Sequence, residues 1–337
     1  MAATTDITTH GPVRWGVLGT GNIGRRAVIP AIQAATNARL VAVASRDAAR
    51  ARTFVHEVAP SARAHGTYEA LLEDPDVEAV YIPLPNSEHA EWTIRAAGAG
   101  KHVLCEKPLA LTAAEARRII DACQSAGVLL LEAFMYRFHP QTRWVQEQLA
   151  AGRIGTVRLV RGWFGFEIAG RSRDIRLQGA LGGGSLMDVG CYPLNYCRMV
   201  YGGPPQAASA RVVAPPHSEV EQMVGAVLDF GEGRLGVIEC GFLWPEHQRV
   251  EIVGASGRII VEAPFTPGVS DTVIRVVGND ETMVRRIAGV DEYRLQVEHF
   301  SAAVREGKTL AILPTDAVEN AAAIEMIYQA AGYEWPR

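Results

Sequence analysis

Val13-Arg14-Trp15-Gly16-Val17-Leu18-Gly19-Thr20-Gly21-Asn22-Ile23-Gly24 decides the fold. An apolar run leads into a glycine turn, and a helical stretch, Arg25 to Ala35, follows. Strand, turn and helix in that order form the context a dinucleotide site needs. Gly19 permits the tight turn, Gly21 lets backbone approach a pyrophosphate, and Gly24 lets the helix pack close to the strand. The anion would sit on free N–H groups at the positive end of the helix dipole. Gly19, Thr20, Gly21, Asn22, Ile23 and Gly24 are therefore candidate cofactor residues.

Outward from this turn the pattern repeats. Leu40–Ala44, Ala79–Ile82, His102–Leu104 and Val128–Leu131 read as strands. The stretches 47–58, 89–99 and 113–126 between them read as helices. Continuous apolar strands between helices predict an α/β domain with a doubly wound parallel sheet, covered on both faces, over residues 13–131. From residue 132 to 337 the pattern changes. A helix over 140–149 precedes a long alternating strand, 156–168, with Trp163, Phe164 and Phe166. Seven strand candidates follow, several of them joined by short glycine turns, and two helices, near 293–306 and 315–331, close the pattern. Short connections predict antiparallel pairing, hence an α+β domain with an open, mainly antiparallel sheet. Its uncovered face suits self-association, so a homodimer or homotetramer through this sheet is expected.

The chain has 337 residues and a net charge of −4, which fits two domains with real cores. No basic stripe suggests nucleic acid, and no stretch is apolar enough to span a bilayer. Residues 1–12 read as a loose tail without a signal peptide. Cys105, Cys123, Cys191, Cys197 and Cys240 are scattered, as expected of reduced thiols in a cytoplasmic protein. No His, Cys or Asp cluster has metal-ligand spacing, so no metal is expected.

After the second strand an acid would bind the ribose diol of NAD, whereas arginine accommodates a 2′-phosphate. Here Ser45-Arg46 stands at that place, which favours NADP(H), although Asp47 is close enough to compete for the role.

Cys105-Glu106-Lys107-Pro108 follows a core strand and places Lys107 at the mouth of the expected cofactor crevice. The stretch Gly182-Gly183-Gly184-Ser185-Leu186-Met187-Asp188-Val189-Gly190-Cys191-Tyr192 is the second cluster. Its spacing leaves two readings open. Ser185 and Asp188 form a capping box while Tyr192 packs, or Asp188 and Tyr192, four apart on one helix face, form an acid/base pair.

These three motifs, in this order, resemble the glucose–fructose oxidoreductase / inositol dehydrogenase (Gfo/Idh/MocA) family over nearly the whole chain. The resemblance implies an N-terminal Rossmann domain, a C-terminal α/β domain, and hydride transfer between a nicotinamide and a CH–OH or C=O group of a sugar or polyol. Many members carry histidine where this chain has Tyr192. Tyrosine there, with Glu132-Ala133-Phe134-Met135-Tyr136-Arg137-Phe138-His139-Pro140, resembles the subgroup of dihydrodiol dehydrogenase, NADP-dependent xylose dehydrogenase and ketosugar reductases.

The resemblance implies catalytic roles for Lys107, Tyr192 and Asp188. Tyr192 exchanges the substrate proton, and Lys107 favours its phenolate and polarises the carbonyl. Pro83, Leu84, Asn86 and His89 resemble the loop beside the nicotinamide ribose, and Glu106 is expected to touch that ribose. Arg137, Arg173 and Arg176 are candidates for a polar substrate pocket with Asp188 and Tyr192. His139 reads as a structural histidine. Two rivals are a glycosidase using transient nicotinamide redox and a non-catalytic nucleotide-binding regulator.

Overall fold

The computed structural model describes residues 11–168, 174–278 and 281–335. Residues 1–10 of the expected tail lie outside them. The first sheet is built from β1 (Val13–Leu18), β2 (Ala38–Ala44), β3 (Arg63–His65), β4 (Ala79–Ile82), β5 (His102–Cys105) and β6 (Leu130–Glu132). Its order is β3-β2-β1-β4-β5-β6, with every pair parallel. The helices are α1 (Ile29–Ala34), α2 (Ala48–Val58), α3 (Tyr68–Leu72), α4 (His89–Gly98) and α5 (Ala113–Ser125). Strand β4 is buried at every residue, because helices cover both faces of the sheet. Burying side chains such as Ile82 and Val103 stabilises the fold by roughly 1.5–3 kcal/mol each.

The order reverses between β1 and β4, and the carboxyl ends there flank the glycine turn. The helix after that turn does not start as a regular α-helix. Gly24–Val28 form a π turn that continues into α1. The short β3 and α3 were not legible in the sequence, since β3 is largely exposed and has no apolar run.

The second sheet has the order β14-β13-β12-β11-β7-β10-β9-β8. Its strands are β7 (Val157–Gly165), β8 (Ala207–Val213), β9 (Met223–Asp229), β10 (Leu235–Gly241), β11 (His247–Gly254), β12 (Gly257–Val261), β13 (Thr272–Gly278) and β14 (Thr282–Ile287). Among the described residues the β7–β10 pair alone is parallel in this sheet, so the open and mainly antiparallel sheet is as expected. Before it comes α6 (Pro140–Ala150), capped by the His139 ring, which accepts from Gln141 N–H at 3.1 Å. His139 is fully buried there, in a structural position.

Helices α7 (Cys191–Tyr201) and α9 (Thr315–Ala330) pack on one face of this sheet. The opposite face carries Trp163, Trp244, His247 and Arg161 along an open groove of about 970 Å³. Helix α8 (Glu292–Glu306) crosses back to the first domain, where it packs on α1. The Trp15 indole donates to Ser301 Oγ at 3.1 Å and packs its ring on Phe300. Glu132 closes β6, the last strand of the first sheet, and the second sheet begins with β7 at Val157. All five cysteines are free and buried. Among the described residues no helix is long and apolar enough to cross a membrane.

Candidate active site

A cleft of about 600 Å³ is lined from both domains. On one side stand Gly21, Asn22 and Ile23 of the glycine turn, with Pro83, Leu84, Asn86, Glu106 and Lys107 from the loops after β4 and β5. On the other stand Phe164, Phe166, Arg176, Asp188 and Tyr192. Gly19 takes φ +117°, and a Cβ there would meet Leu84 Cδ2 at 3.0 Å. Only glycine fits that turn without strain. The amide end of the helical run behind it faces the cleft. These features fit a dinucleotide pyrophosphate.

Lys107 is the centre of the constellation. Its Nζ donates to Asp188 Oδ1 at 3.0 Å and to the Asp188 carbonyl at 2.7 Å. Arg176 Nε reaches the other carboxylate oxygen of Asp188 at 2.7 Å, and the same guanidinium pairs with Asp174. Burial alone would push Asp188 up, but Lys107 and Arg176 hold it below the ordinary carboxylate range. Burial would likewise lower Lys107, but Asp188 keeps it above its ordinary value. The ammonium lies over the Tyr192 ring, 5.1 Å from its centroid.

The Tyr192 hydroxyl contacts Met135 Sδ at 3.6 Å, and its ring packs edge-on against Phe134 and Phe164. Burial drives this phenol well above its ordinary value. Sequence reasoning expected Lys107 to favour the phenolate, and the structure corrects this. The charge of Lys107 is directed to Asp188 and to the ring face, and desolvation dominates at the hydroxyl.

The capping-box reading is also corrected. Ser185 makes no side-chain cap to its own helix, which opens as a π turn over Leu186–Gly190. Its hydroxyl donates to Glu221 at 2.5 Å. Asp188 is consumed by the two cations and caps nothing.

Other expected residues fall in different places. Asn86 Nδ2 donates to the Gly182 carbonyl at 2.8 Å, tying the loop after β4 to the glycine-rich turn of the second domain. Glu106 accepts from the Tyr81 hydroxyl at 2.6 Å beside Lys107, and burial pushes its carboxyl up. His89 is fully buried and does not line the cleft. Its ring nitrogens lie 2.8 Å from the Pro108 carbonyl and 2.9 Å from that of Leu84, so it binds the two cofactor-side loops together. Burial lowers it to about 4, while the two carbonyls favour the protonated ring.

Ser45 is buried, and its hydroxyl accepts from Asp47 N–H at 3.4 Å. The Arg46 side chain is 72% exposed, with Glu88 at 3.3 Å. It is therefore accessible to a phosphate at the end of β2. Asp47 is engaged elsewhere, accepting from the amides of Ala49 and Arg50 as the cap of α2. Arg137 is not brought to the cleft. Its guanidinium donates to Asn195 at 3.2 Å behind α7. Arg173 lies outside the described residues.

Sequence reasoning missed Tyr293, from the first turn of α8, and Thr266, after β12, both of which line the cleft. Neither stands in a motif, and only the tertiary fold carries them there. Among the described residues no three His, Cys, Asp or Glu side chains group to hold a metal ion.

A doubly wound sheet with a glycine turn, facing a lysine–aspartate–tyrosine cluster across a cleft, defines a two-domain, dinucleotide-dependent oxidoreductase. The family models agree in both halves. Residues 13–134 match the model described as an oxidoreductase family with an NAD-binding Rossmann fold, and residues 142–260 match the GFO/IDH/MocA C-terminal domain. The chain belongs to the Gfo/Idh/MocA oxidoreductase family.

D-xylose 1-dehydrogenase (NADP(+)) 2 of Haloferax volcanii is 39% identical over 94% of this chain and 97% of that protein. A 3-ketoreductase from Actinomadura kijaniata, solved with NADP and TDP-benzene, has a TM-score of 0.89 at 31% identity, covering 95% of this chain and 98% of that one. The aldose–aldose oxidoreductase of Caulobacter crescentus, solved with glycerol, has a TM-score of 0.87 at 29% identity with the same coverage.

Proposed function

We propose that this enzyme is an NADP(H)-dependent oxidoreductase acting on a CH–OH or C=O group of a sugar or related polyol, as an aldose dehydrogenase or a ketosugar reductase. The observation that carries the reading is the convergence of Lys107, Asp188 and Tyr192 in the cleft that the glycine turn opens. The NADP-dependent xylose dehydrogenase and the NADP-bound ketoreductase among the relatives support the cofactor and the substrate class.

The bound nicotinamide supplies or accepts the hydride. The protein does the rest. Gly21, Asn22 and Ile23 hold the pyrophosphate, and Arg46 the 2′-phosphate. Lys107 donates to the substrate oxygen where negative charge develops, and Asp188 keeps it charged. In reduction, Tyr192, which burial keeps in its neutral form, delivers its phenolic proton to that oxygen. In oxidation Tyr192 first releases its own proton, and the phenolate then takes the hydroxyl proton. Arg176 positions Asp188 and borders the sugar pocket with Phe166. The assembled cluster argues against a non-catalytic regulator, and the relatives named as dehydrogenases and reductases argue against a glycosidase.

The open face of the second sheet supports a homodimer or homotetramer. Val213, Val227 and Leu235 are exposed there, and Trp163 borders the groove. Five free thiols fit a reducing, cytoplasmic setting.

The test is a sugar panel with NADP⁺ or NAD⁺, read by absorbance of the reduced nicotinamide together with product analysis. One reduced cofactor per oxidised sugar supports the reading. Glycoside cleavage without accumulating reduced cofactor supports the glycosidase, and cofactor binding without turnover supports the regulator.

A further inference from the structure

Glu221 stands just before β9, away from the cleft lining, and is fully buried. Four donors fill its carboxylate. Oε1 accepts from Leu186 N–H at 3.0 Å and from the Tyr328 hydroxyl at 2.7 Å. Oε2 accepts from Ser185 N–H at 3.0 Å and from Ser185 Oγ at 2.5 Å. Two of these donors are consecutive amides at the start of the helical run that carries Asp188 and Tyr192. Such amides have no partner within their own helix, and a carboxylate also complements the dipole there.

The surroundings are built for this grip. Gly184 takes φ +123°, and a Cβ on it would lie 2.7 Å from Glu221 Oε1. Tyr328 stacks on Trp335, whose indole donates to the Gly183 carbonyl at 2.9 Å. The turn before the helix is therefore held from the β8–β9 connection and from the C-terminal aromatics at once. The first turn of this helix is a π turn, so the directions of Asp188 and Tyr192 depend on how that turn is wound.

We propose that Glu221 is a positioning residue for hydride transfer: gripping the amides of Ser185 and Leu186, and braced by Tyr328, it sets the rotation of the helix that presents Asp188 and Tyr192 to Lys107. This rests on the catalytic reading of the Lys107–Asp188–Tyr192 cluster. The carboxylate acts through the helix and touches neither substrate nor cofactor.

Glu221→Gln keeps the shape but turns an amide N–H₂ against donors. Displacement of reacting groups by about 1 Å costs on the order of a hundredfold in rate. The expected result is a kcat lower by about ten- to a hundredfold, with a smaller change in KM and unchanged NADP(H) binding stoichiometry and affinity. Hydrogen–deuterium exchange should quicken over residues 185–192 and not across the first sheet. Tyr328→Phe, which leaves both amide contacts in place, should give a smaller loss of kcat with the same pattern, and it carries the test if Glu221→Gln does not fold. Unaltered kcat and exchange in the variant tested would overturn the proposal. So would a loss of NADP(H) stoichiometry in proportion to kcat, which marks misfolding alone. If wild-type protein turns over no sugar, the catalytic reading fails, while the exchange measurement still decides whether Glu221 holds this helix.

Discussion

The Lys107 ammonium lies over the face of the Tyr192 ring, 5.1 Å from its centroid, rather than pairing with the hydroxyl. A cation over a ring face is attracted by the quadrupole, and it is burial that keeps the phenol neutral. Asp188, at 3.0 Å, takes the ammonium's charge. The resting site thus holds a neutral tyrosine beside a charged lysine.

Removing the Tyr192 hydroxyl tests the first of these. Tyr192→Phe keeps the ring and its packing on Phe134 and Phe164. It loses only a weak contact to Met135. Stability and NADP(H) affinity should be close to wild type, while kcat falls by about 10²–10⁴-fold. Titration of cofactor fluorescence and steady-state rates check both halves. Unchanged turnover would remove Tyr192 from the chemistry.

Lys107→Ala should reduce turnover by roughly 10²–10³-fold, the cost of losing one donor at developing charge. NADP(H) binding should weaken far less. Equal losses in affinity and in kcat would mean that Lys107 acts on the cofactor rather than on the substrate oxygen.

Asp188→Asn probes the pH dependence. Burial lowers the Lys107 pKa and Asp188 raises it. Without the carboxylate, the ammonium loses its proton at lower pH. The alkaline limb of kcat/KM should move to lower pH than in wild type, with activity lost as pH rises. Coincident limbs in the two profiles would exclude this coupling.

Arg46→Ala should weaken NADP(H) by roughly ten- to a hundredfold, the loss of a charge-assisted hydrogen bond of about 1.5–3 kcal/mol. NAD(H) affinity should change little, because Arg46 faces only the 2′-phosphate in this reading. A parallel loss for both cofactors, measured by calorimetry, would contradict the assignment.

Glu132 ends β6, where its Oε1 accepts from Leu109 N–H at 2.8 Å. Burial pushes its carboxyl from 4.5 up to about 8. Between those values the folded chain keeps a proton that the unfolded chain releases, so this group's contribution to stability declines as pH rises across the window. Glu132→Gln keeps the acceptor for Leu109 and removes the titration. The variant should gain on wild type steadily as pH rises from 4.5 to about 8 in urea melts. Parallel curves would exclude the effect.

Much of the fold was legible in the primary sequence. Residues 13–24 read as strand and glycine turn, because only glycine takes the φ of Gly19 and lies so close to Leu84. The strand at 79–82 read as a buried core, because it is continuously apolar. The acid/base pair on one helix face was one of two readings of 182–192, and Lys107 stood at the right strand end. The cap that spacing suggested at Ser185 was wrong. Spacing registers partners within a few residues, and the true partner, Glu221, is 36 residues away.

The sequence by itself determined the two sheets and the glycine turn, because periodicity and turn chemistry are local; it singled out Lys107, Asp188 and Tyr192 only through the family resemblance. The tertiary structure alone decided the rest. It turned Arg137 away, buried His89 between two loops, and brought Tyr293 and Thr266 to the cleft. It also fixed which way each pKa moves, since desolvation and charge pairing depend on distances that sequence order does not contain.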